Sequence, residues 1–147
     1  MIHITTKKFN ALTTQELYNI LQLRSEVFVV EQDCVYQDID GEDQKALHIF
    51  GYKNDKIVAY TRIFKAGDYF EEASIGRVVV AQQERKFKYG YDIMKASINA
   101  IKTHYNDTII RISAQVYLKQ FYNNLGFIED GEDYLEDGIP HINMLKS

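Results

Sequence analysis

At 147 residues the chain has the length of one ordinary domain, enough to bury a substantial core and too short for two. Its 46% hydrophobic and 26% charged residues exclude a disordered chain, and a formal net charge of −4 argues against nucleic acid as the main partner, because phosphate backbones call for a basic face. One cysteine, Cys34, rules out an intrachain disulfide and suits a reducing cytosol. No 18-residue apolar run occurs, and Met1 to Phe9 holds no apolar stretch of signal-peptide length. The sequence therefore reads as soluble and cytoplasmic, with no membrane partner.

Met1 to Phe9 alternates apolar and polar residues and reads as a first strand. Thr13 with Glu16 three residues on forms a capping box, after which Leu17, Ile20, Leu21, Arg24, Val27 and Phe28 follow helical spacing. Ala46–Tyr52 and Lys56–Phe64 are strands rich in aromatic and β-branched residues, joined by a Lys53-Asn54-Asp55 turn. Ser74–Ala81 is a strand whose Val78-Val79-Val80 run predicts burial on both faces, and Gly76 within it predicts a bulge. Tyr89 to about His104 is an amphipathic helix with Ile93, Met94, Ser97, Ile98 and Ile101 on one face. Ile109–Ala114 is an apolar strand. A short helix carrying Leu118, Phe121, Tyr122 and Leu125 ends at Gly126, a left-handed cap. Tyr134 and Ile139–Leu145 read as a closing hairpin.

The expected fold class is therefore α/β: a mixed, mostly antiparallel sheet flanked by helices. One parallel β-α-β crossover runs from Val80 through the long helix to Ile109. No repeat, linker or low-complexity tract divides the chain, so residues 1–147 read as a single domain. In such a sheet the ligand crevice lies beyond the carboxyl ends of the parallel strands, beside the N-terminus of the crossover helix.

That helix is preceded by Arg85-Lys86-Phe87-Lys88-Tyr89-Gly90-Tyr91. A helix N-terminus presents unpaired backbone N–H groups and partial positive charge, which suit a phosphate. Gly90 removes a side chain from the approach, and three basic residues add charge. Alone, the turn reads equally as a solvated basic stretch.

The strand ending in Val78-Val79-Val80, the basic turn and the helix together resemble the acetyl-coenzyme A segment of the GNAT N-acetyltransferase superfamily. The pattern there is Gln or Arg, two residues, Gly, one residue, then Gly or Ala. Arg85 and Gly90 match its ends, and Lys88 stands where the first glycine usually does. Gln115 occupies the place of the superfamily's strand-end Asn, followed by Phe121-Tyr122-Asn123-Asn124-Leu125-Gly126-Phe127. Leu23-Arg24, Val27 to Gln32, Tyr36 to Gly41, Ile75 to Val78 and Asp137 to Ile142 resemble the ElaA-type branch, over nearly the whole chain.

The resemblance implies acetyl-coenzyme A as co-substrate, held by Val78, Val79, Val80, Arg85, Lys86, Phe87, Lys88, Tyr89, Gly90, Tyr91, Gln115 and Phe121. It implies transfer of the acetyl group to a primary amine of a small molecule or peptide, with Tyr122 as general acid toward the departing thiolate. The backbone of Val78 to Val80 would pair with the pantetheine arm and offer an N–H to the oxyanion. Glu31, His48 and His141 are base candidates by family position, each with an ordinary structural alternative, and Arg77 reads as a carboxylate anchor. A non-catalytic acyl-coenzyme A sensor on the same fold is the alternative function. A Rossmann dehydrogenase is disfavoured, since no G-x-G-x-x-G follows the first strand.

Two segments hold 12 of the 21 carboxylates: Glu31, Asp33, Asp38, Asp40, Glu42 and Asp43, and then Glu129, Asp130, Glu132, Asp133, Glu136 and Asp137. By the fold resemblance both border the acceptor side, which predicts two acidic walls and a cationic acceptor. No metal is expected: Asp43 occupies the place where a calcium loop from Asp38 needs glycine, and the four histidines are scattered. A homodimer is compatible with the sequence.

Overall fold

The computed structural model describes residues 2–147, and Met1 lies outside them. Eight strands form one sheet: β1 (His3–Lys8), β2 (Leu47–Lys53), β3 (Lys56–Phe64), β4 (Ala73–Val80), β5 (Ile110–Gln115), β6 (Ile128–Glu129), β7 (Tyr134–Glu136) and β8 (Ile139–Lys146). Their order is β1-β2-β3-β4-β5-β8-β6, with β7 also paired to β8. Among the described residues only β4 and β5 run parallel; every other pair is antiparallel. The mixed α/β architecture read from the sequence is the one the chain adopts.

Three α-helices accompany the sheet: α1 (Thr14–Arg24), α2 (Tyr89–Tyr105) and α3 (Lys119–Asn124). The Thr13–Glu16 capping box closes reciprocally at 3.0 and 2.8 Å, satisfying two of the orphan amides of α1. All of β3 after Lys56 is buried, so both sheet faces are covered there. Thr61 bonds Ser97 of α2, while of its neighbours Tyr60 lies under the Arg24 guanidinium of α1 and Arg62 shares Asp43 with Arg24. Successive strand residues point to opposite faces, so α1 and α2 sandwich the sheet.

The helical pattern expected to continue through Phe28 changes form after Arg24. Ser25–Glu31 is a π-helical segment that keeps Val27 and Phe28 buried but widens the turn. Periodicity alone does not separate the two, because both bury the same apolar residues; π-segments recur at functional sites.

Two features of β4 position the site. First, its register to β3 slips between Tyr60↔Val79 and Arg62↔Gly76, giving β4 one extra residue. The expected bulge exists, but the left-handed conformation falls on Arg77 (φ 51°) rather than Gly76. Second, β4 and β5 are paired only at Ala73↔Ile110 and Ser74↔Arg111. Beyond these pairs the two strands part. Val78 and Val80 are consequently half-exposed in the gap and only Val79 is buried, which corrects the expectation of burial on both faces.

Candidate active site

The gap between β4 and β5 opens into a cavity of about 450 Å³. Its walls are Ile75–Val80 of β4, Ile112, Ser113 and Gln115 of β5, and Val27, Phe28, Glu31 and Gln32 of the π-segment. Arg85, Lys88, Gly90 and Tyr91 close one end; Glu136, Asp137, Ile139 and His141 close the other.

The first end has the properties of an anion site. Lys88 precedes α2 in the left-handed region (φ 61°), and its side chain does not cap the helix, so the Gly90 amide stays available while the Tyr91 N–H donates to the Lys88 carbonyl. This explains the glycine usually found at that place of the family pattern: the position needs a positive φ, which Lys88 adopts at some cost. A Cβ on Gly90 would lie 3.3 Å from two carbons of the Phe121 ring, so Gly90 lets α3 close against α2. Tyr91 and Phe121 line the cavity too, as does Gln115, which sits directly across from His141 of β8. Lys86, Phe87 and Tyr89 lie outside that lining. The Tyr89 ring is buried beside that of Phe87, and Lys53 lies over Phe87 at 3.9 Å.

The π-segment straddles the gap through two consecutive residues. Glu31 receives two hydrogen bonds from Arg85, at 2.6 and 2.8 Å, while Arg85 also donates to the Val80 carbonyl. Gln32 and Gln115 exchange amide hydrogen bonds at 3.2 and 3.3 Å. One link reaches the β4 side and the other the β5 side.

Tyr122 projects from α3 with its ring edge-on to Phe121 and Phe127. It lines the cavity, and among the described residues its hydroxyl makes no hydrogen bond. Burial, and then the neighbouring Tyr117, push the phenol well above its usual range, so it stays protonated at neutral pH.

The base candidates separate. His48 is fully buried outside the cavity: Nε2 meets the Asp43 carbonyl at 2.9 Å and Nδ1 the Tyr60 hydroxyl at 2.6 Å. A carbonyl only accepts, so Nε2 carries the proton and Nδ1 accepts from Tyr60. Both nitrogens are occupied, burial lowers the pKa, and His48 is structural, contrary to its expected candidacy. Glu31 and His141 both line the cavity.

The first acidic segment also departs from expectation. Arg24 and Arg62 are buried and bind Asp38, Asp43 and Asp40 at 2.6–2.9 Å. Arg77, at the bulge, pairs with Asp38 at 2.8 Å. Three arginines thus pair with Asp38, Asp40 and Asp43, three of the six carboxylates expected to form one acidic wall, and brace the loop against β3 and β4 instead. Of the second segment, Glu136 and Asp137 reach the cavity.

Residues 10–147 match the acetyltransferase (GNAT) domain family. The chain belongs to that family. It is 47% identical over 137 residues to protein ElaA of Escherichia coli, covering 92% of this chain and 90% of the relative. It is 40% identical to a UPF0039 protein of Schizosaccharomyces pombe over 94% of this chain and 92% of that one. The crystal structure of an acyl-CoA N-acyltransferase from Pseudomonas aeruginosa superposes with a TM-score of 0.93 at 38% identity, covering both chains completely. The chain thus has the acyl-CoA N-acyltransferase fold, and its family supports an acyl-CoA-dependent acyltransferase that uses an amine acceptor.

Proposed function

We propose that this protein transfers an acetyl group from acetyl-coenzyme A to a primary amine of a cationic acceptor by direct attack, with Tyr122 as the general acid. The observation that carries this reading is the parting of β4 from β5. It leaves the Val78–Val80 stretch of β4 without a β5 partner, its Val80 carbonyl taken by Arg85, in one cavity with a basic helix start and the Tyr122 hydroxyl. A pantetheine arm can pair with β4 as an added strand, Arg85, Lys88 and the α2 amides can hold the diphosphate, and a β4 N–H can face the oxyanion. Gln115, Phe121 and Tyr91 border the arm's path. Glu136 and Asp137 favour a cationic acceptor at the far end.

The test combines calorimetry of acetyl-coenzyme A binding with thiol release across polyamines, aminoglycosides, amino acids and peptides. Binding together with amine-dependent thiol release is expected. Tight binding without release by any amine would make the protein an acyl-coenzyme A sensor.

A further inference from the structure

The far end of the cavity holds a pair of hydrogen-bond acceptors facing each other. The His141 side chain is 8% exposed, and its ring lies against that of Tyr134 with centroids 6.1 Å apart. Nδ1 sits 2.7 Å from the Ile139 carbonyl, which can only accept, so Nδ1 carries the proton of the neutral ring. Nε2 is then a lone-pair acceptor. It is 3.6 Å from Oε2 of Glu136, and the other Glu136 oxygen is 3.4 Å from the Ser113 hydroxyl, which itself contacts the Tyr134 hydroxyl. A lone pair and a carboxylate oxygen that close repel each other unless a donor joins them. A primary ammonium fits: with its nitrogen about 2.9 Å from each acceptor, two of its N–H groups bridge the pair and the substituent points out.

We infer that Glu136 and His141 form the receptor for the acceptor's ammonium group, the carboxylate binding the cation and His141 Nε2 taking its proton. The inference rests on the transferase reading above and names the site where that reaction's amine docks. Asp137 adds a second carboxylate at this end, which reinforces the attraction for a cation, and the remaining charged and polar groups are engaged elsewhere. Arg77 is held by Asp38, Glu31 by Arg85, and Tyr36 donates to Asp38. Cys34 donates to the Asp137 carbonyl, and the Tyr134 hydroxyl is engaged by Ser113.

The step balances as follows. The ammonium gives one proton to Nε2, and its freed lone pair forms the N–C bond to the thioester carbonyl carbon. The C–S bond breaks, sulfur takes the Tyr122 proton, and the nitrogen's second proton is returned through solvent to Tyr122. One proton is released overall as His141 resets. The products are the amide and the free thiol.

Two measurements test this. In the complex with coenzyme A at pH 7, titration with methylamine and with spermidine should shift the His141 imidazole nitrogen resonances, assigned by comparison with His141→Gln. Glu136→Gln should weaken the apparent affinity for both amines about tenfold and leave coenzyme A binding unchanged, with Glu136→Asp in between. In turnover with whichever amine releases thiol, Glu136→Gln should act on KM, while His141→Gln should lower kcat/KM about 100-fold at pH 7. That second deficit should shrink toward pH 10, where the amine arrives already deprotonated. Amine titrations that move no His141 resonance overturn the assignment, as does a His141→Gln variant with wild-type kcat/KM at pH 7. Resonance shifts without thiol release from any amine keep this site and sink the transferase reading instead.

Discussion

Arg85 and Glu31 lie 54 positions apart in the chain and meet across the cavity in a two-pronged ion pair, 2.6 and 2.8 Å long. The guanidinium that stands nearest the start of α2 is thus already occupied by an internal carboxylate. Both partners are partly exposed, so the pair is worth the modest amount of a surface ion pair, roughly 0.2–1 kcal/mol.

Glu31→Gln is accordingly expected to tighten acetyl-coenzyme A binding by about two- to fivefold, because the diphosphate no longer competes for Arg85. Calorimetry at low salt reads this directly. Weaker binding would mean that the pair clamps the bound arm rather than competing with it.

Lys88 supplies a second prediction. Its left-handed backbone costs an ordinary residue about 1 kcal/mol or more, part of which glycine gives back through greater freedom in the unfolded chain. Lys88→Gly should gain about 0.5–1 kcal/mol, a rise of roughly 2–4 °C in melting temperature for a domain of this size. The lost ammonium should weaken coenzyme A binding at the same time. A variant that melts lower would show that the lysine side chain braces the turn.

Tyr122→Phe keeps the ring packed against Phe121 and Phe127 and removes a hydroxyl that makes no hydrogen bond among the described residues. The melting temperature should hold within a degree or two while kcat falls about 10²–10⁴-fold. Unchanged thiol release would leave Tyr122 as packing alone.

The buried arginine cluster predicts an acid response. Burial works to raise the Asp43 carboxyl, but the hydrogen bonds and charge of Arg24, then of Arg62, outweigh it and hold the pKa low. Asp40 is held low in the same way by Arg62, with help from the Glu42 amide and Arg77. Depressed carboxylates stabilise the fold above their unfolded pKa near 4 and lose that contribution as pH falls further. His48, whose pKa burial lowers, adds a smaller loss that begins below about pH 6.5. Thermal melts between pH 7 and 2 should show a shallow decline followed by a steep one. Arg62→Met, which leaves Asp43 with Arg24 alone and Asp40 with only the 3.4 Å ion pair to Arg77, should cost about 3 kcal/mol at pH 7 and flatten the steep part.

Much of the architecture was legible in the chain. The capping box at Thr13, the strand–basic turn–helix order around Arg85 and the Gly126 turn (φ 99°) are local signals, and each sits where it was read. β6 escaped because two exposed residues, Ile128 and Glu129, leave no periodicity to detect. The partners of Asp38, Asp40 and Asp43 escaped for a different reason. Arg24, Arg62 and Arg77 lie 14 to 39 positions away, and no local pattern distinguishes a carboxylate bound to them from one in water. Glu136 was legible as one of a run of acids expected on the acceptor side, but its pairing with His141 and Ser113 carries no local signal.

Since β4 and β5 share only the pairs at Ala73 and Ser74, the sheet is two stiff plates, β1–β4 and β5–β8, joined by a short seam. Such a body bends at the seam before it bends within either plate. Amides along the open edges of Ile75–Val80 and Ile112–Gln115 should therefore exchange with solvent faster than those of neighbouring strands, and an arm laid in the gap should slow both edges together. A molecule filling the slot would act mechanically as the missing strand, turning a hinged pair into one continuous plate.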